Sequence, residues 1–287
     1  MVTPPGGVIG ALFGPNRGRG FVSDPRISGL ARNGHLLSGI KAFILHLERA
    51  AGRAPTVAAL QSALPVVSEI LPAIDGALLE AHEVQAAYVR ERYRPRYPFA
   101  LGANEIGVFL SHRAAWARIV DERLDFAVVL EDDAAIDPAL FSALVELALG
   151  ERRKWDYALM PAAGLEPKGS VVAQQGESRL VRPYTPPLRA IAQFVSRAAA
   201  ERLLAVTAPF DRPVDTFLQM NWVTGVTLMA ALPTPIRDVS RSTGGTTVQR
   251  KRLSLAERLH REIMRPVYRA QVLALYRREA LKARSPR

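Results

Sequence analysis

A chain of 287 residues with 48% hydrophobic side chains and a mean hydropathy of +0.04 can bury a sizeable core, as one large domain or two small ones. The lack of cysteine excludes disulfides and thiolate metal sites. No apolar run reaches the roughly 18–20 residues of a bilayer span, and no secretory leader pattern opens the chain, so a cytoplasmic location is expected. The net charge of +11 is uneven: residues 237–287 hold 14 Lys/Arg against 4 Asp/Glu, residues 1–34 hold 4 Arg against one Asp, and residues 35–236 are near neutral at −2.

Residues 1–34, rich in Gly, Pro and Arg without periodicity, are expected to form a disordered basic arm. Ile40 to His46 is apolar enough for a first strand, Pro55 to Leu64 has helical character, and Val66 to Leu71 makes a second strand. That order and spacing predict a parallel βαβ unit. A helix is expected from Leu78 to Arg92, and another from Glu105 to about Glu122 capped by Asn104. Asp137-Pro138 opens a further helix running to Leu149. Asp156 to Pro161 and Ile191 to Ser196 are strand candidates, separated by a polar loop over 164–187. Arg197 to Val206 is helical, and Pro213-Val-Asp215 precedes an apolar segment from Trp222 to Leu232.

The segment with most chemical content is Phe126-Ala-Val-Val-Leu-Glu-Asp-Asp133. An unbroken apolar run reads as a strand buried on both faces. It ends in three adjacent carboxylates, which repel one another and are costly near a core unless a cation or donors offset them. At the C-terminal edge of an α/β sheet, where ligands bind, a divalent metal holding a phosphorylated substrate is the economical explanation. Side chains alternate along an extended segment, so Glu131 and Asp133 are expected on one side and Asp132 on the other.

Several blocks occur in an order that resembles glycosyltransferase family 25, the lipooligosaccharide galactosyltransferases. They are Phe43-Ile-Leu-His-Leu-Glu-Arg49 with Arg53, Pro72-Ala-Ile-Asp-Gly76, Asn104-Glu-Ile-Gly-Val-Phe-Leu-Ser-His112 with Trp116, Leu130-Glu-Asp-Asp133, Phe194-Val-Ser-Arg197 and Pro213-Val-Asp215. His46, Glu48 and Val108 stand where that family commonly has Asn, Asp and Cys. The resemblance spans roughly residues 40–240. It implies a GT-A-like, Rossmann-type α/β fold with a mostly parallel central sheet flanked by helices, over a domain of residues 35–246.

The activity implied by the resemblance is inverting, metal-dependent transfer of a hexose, galactose from UDP-galactose being the usual case, onto a lipopolysaccharide, lipooligosaccharide or other glycan acceptor. Mn²⁺ or Mg²⁺ is the expected cofactor, because hard oxygen ligands suit these ions and a cation neutralises the departing diphosphate. Glu131 and Asp133 are the expected metal ligands. Asp132, Glu105, Ser111, His112, His46 and Arg53 are the expected donor-binding set. Asp215 is the candidate base for the acceptor hydroxyl, and as a residue type at that position it reads equally well as a helix-start acid.

Residues 247–287 form a basic tail in which Leu255, Leu259, Ile263 and Val267 interleave with Arg258, Arg261, Arg265 and Arg269. This predicts an amphipathic helix interrupted near Pro266, which either packs on the body or rests on an anionic membrane surface, on the inner face of the cytoplasmic membrane. The tail also motivates a rival function, nucleic-acid binding. It has few aromatics for stacking and the body is neutral, so no nucleic-acid partner is expected. The other rival is a family-25-like body without catalysis.

Overall fold

The computed structural model describes residues 39–240 and 255–282. The basic arm expected over residues 1–34 lies outside the described residues. β1 (Ile40–His46) passes through a 3-10 turn into α1 (Ala54–Ala63), whose first turn carries Pro55, and the chain returns as β2 (Ser68–Pro72) parallel to β1. α2 (Ala81–Ala87) and α3 (Ala103–Asp121) then lead to β3 (Phe126–Glu131), parallel to β1 on its other side. The expected βαβ unit is therefore present.

Next come β4 (Ala134–Ile136), α4 (Pro138–Gly150), β5 (Tyr157–Leu159), a hairpin of β6 (Gly169–Gln175) and β7 (Ser178–Pro183), and β8 (Ala192–Ser196). α5 (Arg197–Val206), α6 (Val214–Leu218), α7 (Asn221–Thr224), β9 (Leu228–Leu232), β10 (Ile236–Asp238) and α8 (Leu255–Lys282) complete the described elements. Eight strands form one sheet in the order β2-β1-β3-β8-β5-β9-β7-β6. β8 and β7 run against the other six, so the sheet is mostly parallel in strand direction.

The central strands alternate between two cores. Ile44, Val128 and Leu130 face a cluster with Val57, Leu60, Phe141 and Leu144, supplied by α1 and α4. Phe43, Leu45, Ala127 and Val129 face the other cluster with Ile106, Phe109, Trp116 and Leu203, supplied by α3 and α5. Burial on both faces is why these strands are continuously apolar rather than alternating. α3 is anchored by Phe109, whose ring stacks on Phe210 at 3.8 Å between centroids with the planes 3° apart.

Several local expectations give way to tertiary contacts. The helix expected over 78–92 is confined to Ala81–Ala87, because Tyr88 turns extended and bridges Phe210, with the Val89 amide donating to the Phe210 carbonyl at 3.0 Å. Asn104 does not cap α3: Gly102 is the cap residue, and Glu105 accepts its backbone N–H at 2.7 Å. The loop expected over 164–187 contains the β6–β7 hairpin, where β7 pairs with β9 and buries Leu180 and Val181.

The basic tail is not a separate unit where it is described. α8 runs as one helix through Pro266 and docks on the body through Tyr268, Val272 and Tyr276, all buried. Its anchor is Arg212, fully buried, which pairs with Asp211 and donates to the Tyr268 hydroxyl at 2.7 Å and to the Tyr93 and Pro95 carbonyls at 3.1 Å each. The Tyr276 hydroxyl donates to the Pro183 carbonyl at 3.1 Å. No helix among the described residues is long and apolar enough to cross a membrane.

Candidate functional site

The site grows from the C-terminal ends of β1 and β3. Glu131 continues the Ala127–Val129 series, so it points to the α3 side and meets His112, whose Nε2 lies 3.3 Å from Glu131 Oε1. His112 is fully buried, and its Nδ1 accepts from the Gln193 amide at 3.2 Å. With Nδ1 accepting, the ring proton sits on Nε2 and is directed at Glu131.

Asp132 and Asp133 form a tight turn between β3 and β4. Asp132 is 4% exposed, with Oδ2 2.8 Å from His46 Nδ1 and Oδ1 bound by Arg53. The pairing of β1 with β3 sets Leu45 beside Glu131, which brings His46 to the level of Asp132. Arg53 comes from the 3-10 turn after β1 and also lies 3.4 Å from Asp133 Oδ2.

Asp133 keeps one oxygen, Oδ1, buried with no hydrogen-bond partner. Its carboxyl is pushed up to about 7, first by burial and then by the neighbouring Glu131 charge, with Arg53 pulling the other way. The chain from β10 adds Asp238 to this field and fixes the turn, the Val239 amide donating to the Asp133 carbonyl at 2.9 Å.

A second motif pair forms the wall beside the turn. A Cβ on Gly76 would stand 1.9 Å from the Ala103 carbonyl oxygen, and one on Gly107 would stand 2.6 Å from the Gly76 nitrogen and the Ile74 carbonyl oxygen. The Ile74-Asp-Gly76 segment and the start of α3 thus touch backbone to backbone, which only glycine permits. Ser111 closes the joint: its hydroxyl accepts the Ile74 N–H at 2.8 Å and donates to the Gly107 carbonyl at 2.8 Å. Arg49 pairs with Asp75 and holds that carboxyl below its ordinary range.

Two cavities adjoin at the acid turn. The first, about 200 Å³, is bounded by Arg49, Arg53, Asp75, Asn104, His112 and all three carboxylates. The second, about 340 Å³, shares Val108, Glu131 and Asp133 with it and is closed by Glu105, Arg189, Asp215 and Asp238. All three acids border the first cavity, and Glu131 and Asp133 alone reach the second as well. Asp215 lies in the first turn of α6, its Oδ1 accepting the Thr216 N–H at 2.7 Å and its Oδ2 the Arg189 N–H at 3.2 Å. The Tyr97 phenol is raised by burial first and then by the fields of Glu105 and Asp215.

All nine residues singled out from the sequence therefore converge on one site. Ser111 and Glu105 also have structural employment there, as a hinge pin and as the acceptor of the first helix amide. Gln193, Arg189 and Asp238 were not foreseen. Gln193 had a usable signal, a lone amide inside the apolar strand Ile191 to Ser196. Arg189 and Asp238, paired at 2.7 Å, had none.

The donor chemistry suits a hard divalent ion. Glu131 and Asp133 offer carboxylate oxygens at a place where Arg53 offsets only part of the negative charge, and Asp133 Oδ1 has no hydrogen-bond partner. No group of three or more His, Cys, Asp or Glu suited to a metal gathers among the described residues. One or two carboxylates completed by phosphate and water is the mode Mg²⁺ and Mn²⁺ adopt with nucleotides.

A mostly parallel α/β sheet flanked by helices, with acids and two cavities at the C-terminal ends of β1 and β3, is a Rossmann-type α/β architecture, a class in which ligands commonly bind at that edge. Residues 40–163 match the model of glycosyltransferase family 25 (LPS biosynthesis protein). Similar proteins include a glycosyltransferase 25 family member of Drosophila pseudoobscura pseudoobscura, 33% identical over 123 residues, covering 41% of this chain and 19% of that protein. The human procollagen galactosyltransferase 2 is 24% identical over 189 residues, covering 63% and 30%. A probable inactive glycosyltransferase 25 family member 3 of Rattus norvegicus is 26% identical over 184 residues, covering 61% and 32%. The similarity to glycosyltransferase family 25 thus lies in residues 40–163 of the chain, which spans less than a third of the length of these relatives.

Proposed function

We propose that this chain is an inverting glycosyltransferase that moves a hexose from a nucleotide-diphosphate donor, UDP-galactose being the first candidate, to a hydroxyl of a saccharide acceptor. The observation that carries the reading is the acid turn placed on the wall shared by two adjoining cavities. The first, with Arg49 and Arg53, suits the nucleotide and its diphosphate. The second, with Asp215 and Glu105, suits a polyhydroxyl acceptor.

Mg²⁺ or Mn²⁺ held by Asp133 and Glu131 would supply the positive charge that stabilises the departing diphosphate. The chain's own residues do the rest. His112 and Gln193 orient Glu131, and Arg53 holds the turn in place through Asp132. In the transfer, the anomeric C–O bond to the diphosphate breaks as the acceptor oxygen bonds to that carbon. Asp215 takes the acceptor's proton, its carboxylate aimed by the amides of Thr216 and Arg189. The human relative's name, procollagen galactosyltransferase 2, supports galactose as the transferred sugar.

A screen of nucleotide sugars for Mn²⁺-supplemented hydrolysis and transfer, repeated with Asp133→Ala, tests this. Turnover of one donor that collapses in the variant is expected, and turnover that survives undamaged would overturn the assignment. A second reading, a donor-binding protein without turnover, draws on Asp132, whose two oxygens are already engaged by His46 and Arg53. Saturable donor binding without turnover of any sugar would favour it.

A further inference from the structure

α8 carries two apolar stripes where docking on the body needs one. At about 100° per residue, Tyr268, Val272 and Tyr276 project to one side and Leu259, Ile263 and Val267 to the opposite side. The first three are buried against the body, whereas the second three are 64%, 55% and 44% exposed. Leu281, 64% exposed, falls on the outward side as well, and so do the exposed Arg277 and Arg278. The helix bears seven Lys/Arg against three Asp/Glu, on a body that is near neutral.

An outward row of branched apolar side chains, followed ~15 Å further along the same face by Arg277 and Arg278, wants an apolar phase and negative charge together. The region between acyl chains and headgroups of an anionic bilayer supplies both. Arginine stems can lie along that boundary with their guanidinium groups at the phosphates. We propose that the outward face of α8 docks in the plane of an anionic lipid surface, with Leu259, Ile263 and Val267 inserted and Arg277 and Arg278 on the headgroups.

The position of the helix gives this docking a consequence. His260 and Arg261 pack on Phe99, at 6.5 Å between ring centroids and 4.8 Å from guanidinium carbon to ring centroid. Tyr97 stands edge-on to Phe99 and to Tyr268, at 5.5 and 5.3 Å. From Phe99 the chain runs directly into α3 and Glu105, which borders the second cavity. The lipid-facing helix is therefore joined, through Phe99 and the segment that follows it, to one wall of the cavity proposed for the acceptor. Lipid docking is a separate property from sugar transfer, and its readout is binding, so either can fail alone.

The test is flotation of the full chain with vesicles of phosphatidylcholine, with and without phosphatidylglycerol. Binding only to the anionic vesicles, weakened by salt, is expected. Leu259→Ser/Ile263→Ser/Val267→Ser should lower partitioning by at least about tenfold, and Arg277→Gln/Arg278→Gln by about fivefold per arginine. Both should keep the wild-type circular dichroism and unfolding midpoint. Equal binding to both vesicle types, undiminished binding of the apolar variant, or a stripe-dependent self-association or DNA binding in place of vesicle binding would each overturn the proposal.

Discussion

Asp133→Asn should stabilise the metal-free protein, and the gain should depend on pH. In the folded chain the Asp133 carboxyl sits at about 7, against an unfolded value of about 3.9. The folded state therefore holds this proton more tightly, and stability falls as pH rises from about 4 to about 7. Above 7 the cost is complete. Three units at about 1.4 kcal/mol each give an upper bound of about 4 kcal/mol, and the side chain retains 15% exposure. Loss of the Arg53 contact at 3.4 Å offsets part of the gain, so roughly 2–3 kcal/mol is expected at pH 8. At pH 4 the difference should nearly vanish. Urea unfolding of both proteins at pH 4, 6 and 8, in chelator, measures it. Added Mn²⁺ should then stabilise the wild type and leave the variant unmoved. A variant less stable than wild type at pH 8, or a difference indifferent to pH, would refute the claim that an uncompensated charge is stored at this turn.

Other consequences can be checked singly. Asp215→Asn should lower kcat by about 10²–10⁴ with donor affinity unchanged, as loss of a proton acceptor requires; a fall in donor affinity with unaltered kcat would remove Asp215 from that role. Gly107→Ala should destabilise by at least about 1–3 kcal/mol, since its Cβ would meet backbone atoms at 2.6 Å that cannot rotate away. A neutral melt would refute the backbone joint. Tyr268→Phe should cost about 1–3 kcal/mol by stripping one acceptor from the fully buried Arg212, and proteolysis should then release α8 earlier than the body.

The sequence by itself determined whatever depends on near neighbours. Ile40–His46 is a strand because both its faces are apolar, and Asp137-Pro138 starts a helix because the carboxylate accepts the Ala139 and Leu140 amides. The acid run after an apolar strand, set among the family-like blocks, was enough to choose nine residues that the fold gathers around one turn. Tertiary structure decided what each of them does there. His46 and Arg53 reach Asp132 across 86 and 79 residues of chain, and no local periodicity records such a pairing. Register between parallel strands sets the first, and the direction in which the chain leaves β1 sets the second. For the same reason, residues 169–183 read as a polar loop until β9 supplied the hydrogen bonds and apolar cover that make β7 a strand. The three carboxylates are equivalent as sequence, and only the fold gives Asp132 two partners while leaving Asp133 with a bare oxygen.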